Sequence, residues 1–164
     1  CIGVAGYPET HSESRSSIHD LENLKIKVDS GADYIITQMC YNNEAIFRFL
    51  DSCQDIGINV PIIPGLKVLT LKSHLVLLRE KFNVRMPSEL EKRVTSANPE
   101  DVEKIGIDWA TQQAEKLISQ GFPGIHFFIS EGAKVYPSTS VIDNLNLENN
   151  HPLLASSAPS RIIS

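Results

Sequence analysis

An α/β chain built from repeated βα units around a parallel sheet is predicted by three observations. Short apolar runs stop at Gly or Pro and are followed by segments with apolar residues every three or four positions. The second such run, Tyr34-Ile35-Ile36-Thr37, is β-branched and aromatic with no polar alternation, which predicts a strand covered on both faces, as in a parallel sheet. Glycines fall just past the helical stripes, where a helix C-terminus accepts a left-handed residue.

The first unit begins with Ile2, Val4 and Ala5, a run that ends at Gly6-Tyr7-Pro8 and passes into the polar turn Glu9-Thr10-His11-Ser12-Glu13. Ile18, Leu21, Leu24 and Val28 then recur at helical spacing up to Gly31. After the second strand, Asn43 serves as a helix cap before Ile46, Phe49, Leu50, Cys53 and Ile56, with Gly57 as the stop. Val60, Ile62 and Ile63 form a third strand, with donorless Pro61 near its start and Pro64-Gly65 at its end. Thr70 caps a third helix carrying Leu71, Leu75, Leu78 and Phe82. A short extra helix follows at Pro87-Ser88-Glu89-Leu90. Asn98-Pro99-Glu100-Asp101 combines a cap, a first-turn proline and two acids at the positive helix end. The long helix it starts passes through Val102, Ile105, Trp109, Ala110, Ala114 and Leu117 to Gly121. Gly124 to Ile129 is a fourth strand, and Val141, Ile142 and Leu145 mark a last short helix. From Glu148 periodicity gives way to Ser and Pro, so residues 1–147 read as the folded unit and 148–164 as tail or linker.

About four βα units fit either an open parallel sheet or half of an eight-stranded barrel, which typically needs roughly 250 residues. The abrupt start at Cys1, without an initiator Met, is read as that of a fragment. The 164 residues carry a net charge of −5, which argues against a nucleic-acid surface. No run approaches the roughly 20 apolar residues of a membrane span, and neither a secretory leader nor a metal-ligand cluster is evident. Cys1, Cys40 and Cys53 match no zinc or disulfide pattern, so reduced thiols in a cytosolic protein are expected.

In either architecture ligands gather at the C-terminal strand ends. Those ends carry Tyr7, Glu9 and His11, then Gln38, then Lys67, then Ser130 and Glu131. Asp20, Asn23 and Lys27 share a face of the first helix, a solvated face on physics alone. Gln38 is suited to the donor and acceptor edge of a heterocycle, or equally to backbone partners. His126 reads as a core histidine. Neither a dinucleotide fingerprint nor a phosphate loop is present.

Four blocks in order, Val4-Ala-Gly-Tyr-Pro-Glu-Thr-His11, Ser30-Gly-Ala-Asp-Tyr-Ile-Ile-Thr-Gln38, Pro61-Ile-Ile-Pro-Gly65 and Gly124-Ile-His-Phe-Phe128, closely resemble the methylenetetrahydrofolate reductases, eukaryotic ones especially. The resemblance runs from Cys1 to about Leu147 and implies the last four units of a (βα)8 TIM barrel. It implies an FAD-dependent oxidoreductase of one-carbon metabolism and methionine biosynthesis. Such an enzyme reduces 5,10-methylenetetrahydrofolate to 5-methyltetrahydrofolate with NADPH or NADH. It is cytoplasmic and homo-oligomeric when complete, without nucleic acid or membrane partners. By resemblance Tyr7, His11, Asp20, Asn23 and Lys27 hold FAD, and Gln38, His74 and Leu78 line the folate and nicotinamide side. The family's general-acid glutamate belongs to its first strand and a key aspartate to its fourth, so no catalytic residue is expected here. Two departures fall at the substrate rim. Ser130-Glu131-Gly132 stands where the family usually reads Leu-Asn-Arg, and Leu66-Lys67-Val68 replaces an apolar-x-Pro turn. An inactive flavin- or nucleotide-binding module, partner to a complete barrel, is the alternative.

Overall fold

The computed structural model describes residues 1–129 and 136–145. Four parallel strands lie in the order β1 (Gly3–Gly6), β2 (Tyr34–Met39), β3 (Ile62–Leu66) and β4 (His126–Phe127). Between and after them come α1 (Ser17–Asp29), α2 (Asn43–Asp55), α3 (His74–Phe82), α4 (Ser88–Ser96), α5 (Val102–Ser119) and α6 (Tyr136–Asn144). Spatial order equals chain order, with no point of reversal. With the right-handed crossovers that parallel units obey, such a sheet carries its helices on one face, as a barrel wall does. That decides between the two architectures the sequence left open.

Register explains the two faces. Val4, Ile35 and Ile62 are paired in a row that joins the main core under the helices, with Leu24, Ile46, Phe49, Ala114 and Leu117. The alternate row, Ala5, Ile36 and Ile63, turns the other way. β2 therefore alternates, with Ile35, Thr37 and Met39 buried and Tyr34, Ile36 and Gln38 half-buried. The expectation of strands covered on both faces is thus met on one face among the described residues. The other face borders a cavity of about 320 Å³ lined by Tyr34, Ile36, Gln38, His126 and Phe128.

Several element boundaries differ from the sequence reading, each for a local reason. β3 runs through Pro64-Gly65 to Leu66 instead of stopping before them. The pairing shifts between Ile36 and Met39, and the Gly65 N–H donates to Thr37 Oγ1 at 2.9 Å, so a side-chain oxygen accepts this N–H where the ladder is interrupted beside donorless Pro64. Gly65 is required there, since a Cβ would lie 2.2 Å from the Thr37 carbonyl oxygen. Asn42, not Asn43, caps α2 by accepting from the Glu44 N–H, while Asn43 and buried Gln113 clasp α2 to α5. α3 begins at His74 without a side-chain cap, leaving Thr70 and exposed Leu71 in the preceding loop. Ile18 lies at the edge of the α1 stripe and is 69% exposed. β4 is two residues long, although the Phe128 N–H still donates to the Leu66 carbonyl.

A second buried cluster, Leu75, Leu78, Val84, Leu90, Val94 and Val102 with Met39, Tyr41 and Leu69, gathers α3, α4 and the start of α5 beyond the β3 end. The insertion around α4 is therefore a packed annex. Among the described residues no helix is long and apolar enough to cross a membrane.

Candidate functional site

The loop after β1 is held by contacts that do not depend on one another. The Thr10 N–H donates to the Tyr7 carbonyl at 3.1 Å, closing a tight turn around Pro8. The Asp20 carboxylate on α1 accepts the His11 N–H at 2.8 Å. Glu9 accepts the Arg85 N–H at 2.9 Å, tying this loop to the segment between α3 and α4. Thr10 sits at φ 71°, a left-handed conformation that is costly for a β-branched residue and survives only where surroundings enforce it. The Tyr7 ring stands edge-on to the His11 imidazole, 4.5 Å between centroids. His11 Nδ1 accepts the Glu13 N–H at 3.2 Å, which leaves Nε2 as the ring nitrogen able to donate.

Two cavities meet at this loop. One, of about 170 Å³, lies at the strand ends between Glu9, His11, Gln38, Cys40, Lys81 and Asn83. The other, of about 230 Å³, lies between α1 and α2, with Tyr7, Asp20, Lys27 and Arg48 on its wall and Leu24 and Phe49 at its base. Asp20, Leu24 and Lys27 are spaced i, i+4 and i+7, so one strip of α1 supplies carboxylate, apolar floor and cation. Asn23 lies off that strip, exposed, with its amide 3.1 Å from His19 Nδ1.

Gln38 borders both the strand-end cavity and the open face of the sheet. Its Oε1 accepts the Met39 N–H at 3.0 Å, which leaves the two N–H groups of the amide to meet a ligand. Lys67 is buried at the end of β3, and burial lowers its pKa. Its Nζ is 3.5 Å from the Phe128 carbonyl. His74, half-buried at the start of α3, is held toward the neutral form by burial and then by Lys67. Leu78 is 1% exposed inside the second cluster and borders neither cavity. His126 turns to the open face, edge-on to Phe128. Ser130, Glu131 and Gly132 lie outside the described residues, as does the tail.

The thiol of Cys40 is no nucleophile. Burial, with Glu9 nearby, pushes its pKa up to about 12, and it is 3.4 Å from the Asn42 carbonyl as a donor. Thr10 and Arg48 escaped the sequence reading. A backbone angle leaves no mark on residue type, and Arg48 sits on a helix whose apolar stripe explains its neighbours without it.

The family model described as methylenetetrahydrofolate reductase matches residues 1–140. Methylenetetrahydrofolate reductase 1 of Schizosaccharomyces pombe is 31% identical over 158 residues, covering 94% of this chain and 26% of that protein. Methylenetetrahydrofolate reductase (NADH) 1 of Arabidopsis thaliana is 33% identical over 138 residues, 77% of this chain and 23% of the relative. The 5,10-methylenetetrahydrofolate reductase of Escherichia coli is 34% identical over 137 residues, 82% of this chain and 46% of its own length. The chain thus spans about a quarter of the eukaryotic relatives and about half of the bacterial one. Among solved structures, an uncharacterized protein from Clostridium thermocellum that binds two copies of 5-methyl-5,6,7,8-tetrahydrofolic acid has a similar fold. The TM-score is 0.59 at 19% identity, over 88% of this chain and 53% of that one.

Proposed function

Because this chain belongs to the methylenetetrahydrofolate reductase family, we propose that it forms the folate- and flavin-facing part of a reductase. That enzyme would convert 5,10-methylenetetrahydrofolate to 5-methyltetrahydrofolate with FAD and NADH or NADPH. The observation that carries the reading is the pre-set loop Tyr7–His11, locked to Asp20 and Arg85 and opening onto both cavities. FAD, held by these residues, would supply the hydride-carrying chemistry between nicotinamide and folate.

The donor set suits such a group. Lys27 supplies a cation for a diphosphate, and His11 Nε2 a further donor on the loop after β1. Asp20 spends one oxygen on the His11 N–H and keeps the other for a ribose hydroxyl. Asn23 and Tyr7 complete the cofactor-holding set. Gln38, with its oxygen committed to Met39, donates its N–H groups to acceptors on the pterin ring. His74 stands at the folate and nicotinamide side, while Leu78 acts there from within the core as backing for the α3 helix. The name of the plant relative specifies NADH, which favours NADH as the first donor to assay. The working enzyme is read as a cytoplasmic homo-oligomer supplying methyl groups for methionine synthesis.

Flavin titration of the chain, followed by NADH and NADPH oxidation assays on the complete gene product, tests this. We expect bound FAD, its loss in Lys27→Ala, and turnover of methylenetetrahydrofolate. A gene product that retains FAD and reduces no folate would instead support a flavin-binding partner without catalysis.

A further inference from the structure

We infer that Thr37 is a positioning residue for Gln38: its hydroxyl fixes the peptide that turns the Gln38 amide with both N–H groups toward the ligand. This rests on the proposed folate reading only for the identity of that ligand.

Thr37 lies on the core side of β2 and is 0% exposed, while Gln38 next to it borders the strand-end cavity and the open face. Pairing of β2 with β3 is irregular between Ile36 and Met39, so a regular ladder does not fix the backbone where Gln38 sits. The Thr37 hydroxyl takes that place. It accepts the Gly65 N–H of β3 at 2.9 Å and donates to the Gln38 carbonyl at 3.0 Å. A hydroxyl carries one donor and two acceptor sites, so both bonds are made at once. Gly65 also accepts the Cys40 N–H at 3.2 Å, and this one residue of β3 thereby grips β2 on either side of Gln38 and Met39. From behind, Gln113 donates to the Cys40 carbonyl at 3.2 Å. Trp109, one turn earlier on α5, donates to the Tyr41 carbonyl at 3.2 Å.

The bond to the Gln38 carbonyl matters because that carbonyl and the Met39 N–H belong to one planar peptide unit. Fixing one end fixes the direction of the other. Gln38 Oε1 accepts this same Met39 N–H at 3.0 Å. An N–H pairs with the oxygen of an amide and not with its NH2, so the orientation of the Gln38 amide follows from the peptide. A chain of bonds thus runs from Gly65 through the Thr37 hydroxyl and the Gln38–Met39 peptide to the Gln38 amide. Its consequence is specificity, since the site offers donors at this point and favours a heterocycle edge that presents acceptors. Valine at position 37 fills nearly the same space but breaks the chain at its first link, whereas serine keeps it.

Hydrogen exchange of the Met39 amide, read by NMR on the full chain, and titration with 5-methyltetrahydrofolate test this together. In Thr37→Val we expect Met39 exchange to quicken and folate affinity to fall, each about tenfold, the range of one lost hydrogen bond. Thr37→Ser should restore both to near the parent values. In a Gln38→Ala background, Thr37→Val should cost no further folate affinity, because the group it positions is gone. A threonine with a merely structural role would cost as much there as in the parent. Unchanged Met39 exchange in Thr37→Val, or a folate loss that persists in the Gln38→Ala background, would overturn the inference. If Met39 responds as expected and the parent chain binds no folate, the folate reading falls and the positioning of Gln38 stands. If the parent binds folate and Met39 does not respond, the positioning falls and the folate reading stands.

Discussion

At the scale of single residues, burial sets the chemistry of the loop at the strand ends. Glu9 is half-buried, and desolvation lifts its carboxyl above the ordinary value of 4.5, against the opposing pull of the Arg85 amide and guanidinium. The folded chain therefore holds that proton more tightly than the unfolded chain. Ionised Glu9 costs stability, a cost absent below pH 4.5 and fully present once pH exceeds the raised folded value. Glu9→Gln keeps an oxygen for the Arg85 N–H and removes the charge. Its melting temperature should exceed that of the parent at neutral pH, and the gap should close as pH falls through the Glu9 titration. A gap that widens in acid would contradict this assignment. Cysteine reactivity follows the same logic. Cys1 is exposed, whereas Cys40 and Cys53 are buried, each with its pKa pushed up to about 12. Iodoacetamide at mildly alkaline pH should label Cys1 in the native chain and reach the other two only after denaturation, as read by peptide mass spectrometry.

Between elements, close backbone approach decides more than propensity. Gly106 lies inside α5, where glycine costs roughly 1 kcal/mol relative to alanine. It is there because α5 passes over the backbone of Leu69: a Cβ at Gly106 would lie 1.8 Å from the Leu69 carbonyl oxygen. Gly106→Ala must push α5 off the loop that follows β3, an overpacking change costing roughly 1–3 kcal/mol that outweighs the helix gain. The urea midpoint should fall, and a midpoint at or above that of the parent would show that α5 can yield at no cost. The clasp of Asn43 with Gln113 works between the same layers, and Gln113 also donates to the Cys40 carbonyl at 3.2 Å. Thus α5 holds the end of β2 in place from behind, next to Gln38.

For the molecule as a whole, the sheet has one face under helices and one face bordering a broad cavity, with β1 and β4 at its two edges among the described residues. Unpaired parallel edges next to an open face that carries Ile36 are templates for further pairing. We expect the 164-residue chain on its own to self-associate in sedimentation velocity, increasingly so at higher concentration. A monodisperse monomer with a single sharp thermal transition would show that the open face is stable in water as it stands.

Local pattern was enough to place the four strands, the helices from α1 to α5 and the strand-end positions of Tyr7, His11 and Gln38, because period, caps and glycine stops are written within a few neighbouring residues. The apolar character of Tyr34 to Thr37 likewise announced a strand fit for burial on both faces. What covers each face is a matter of distant chain, and only the three-dimensional arrangement showed one of them open. Chain order in the sheet also had to come from the structure, since βα units alone do not say whether the sheet reverses. At the site, the sequence could put Asp20 and Lys27 on one helix. It could not show that Asp20 is spent on the His11 amide, that Thr10 is held left-handed, or that Arg48 and Lys27 border one cavity. Those facts depend on contacts between residues well separated in the chain, where side-chain geometry decides and sequence period carries no signal.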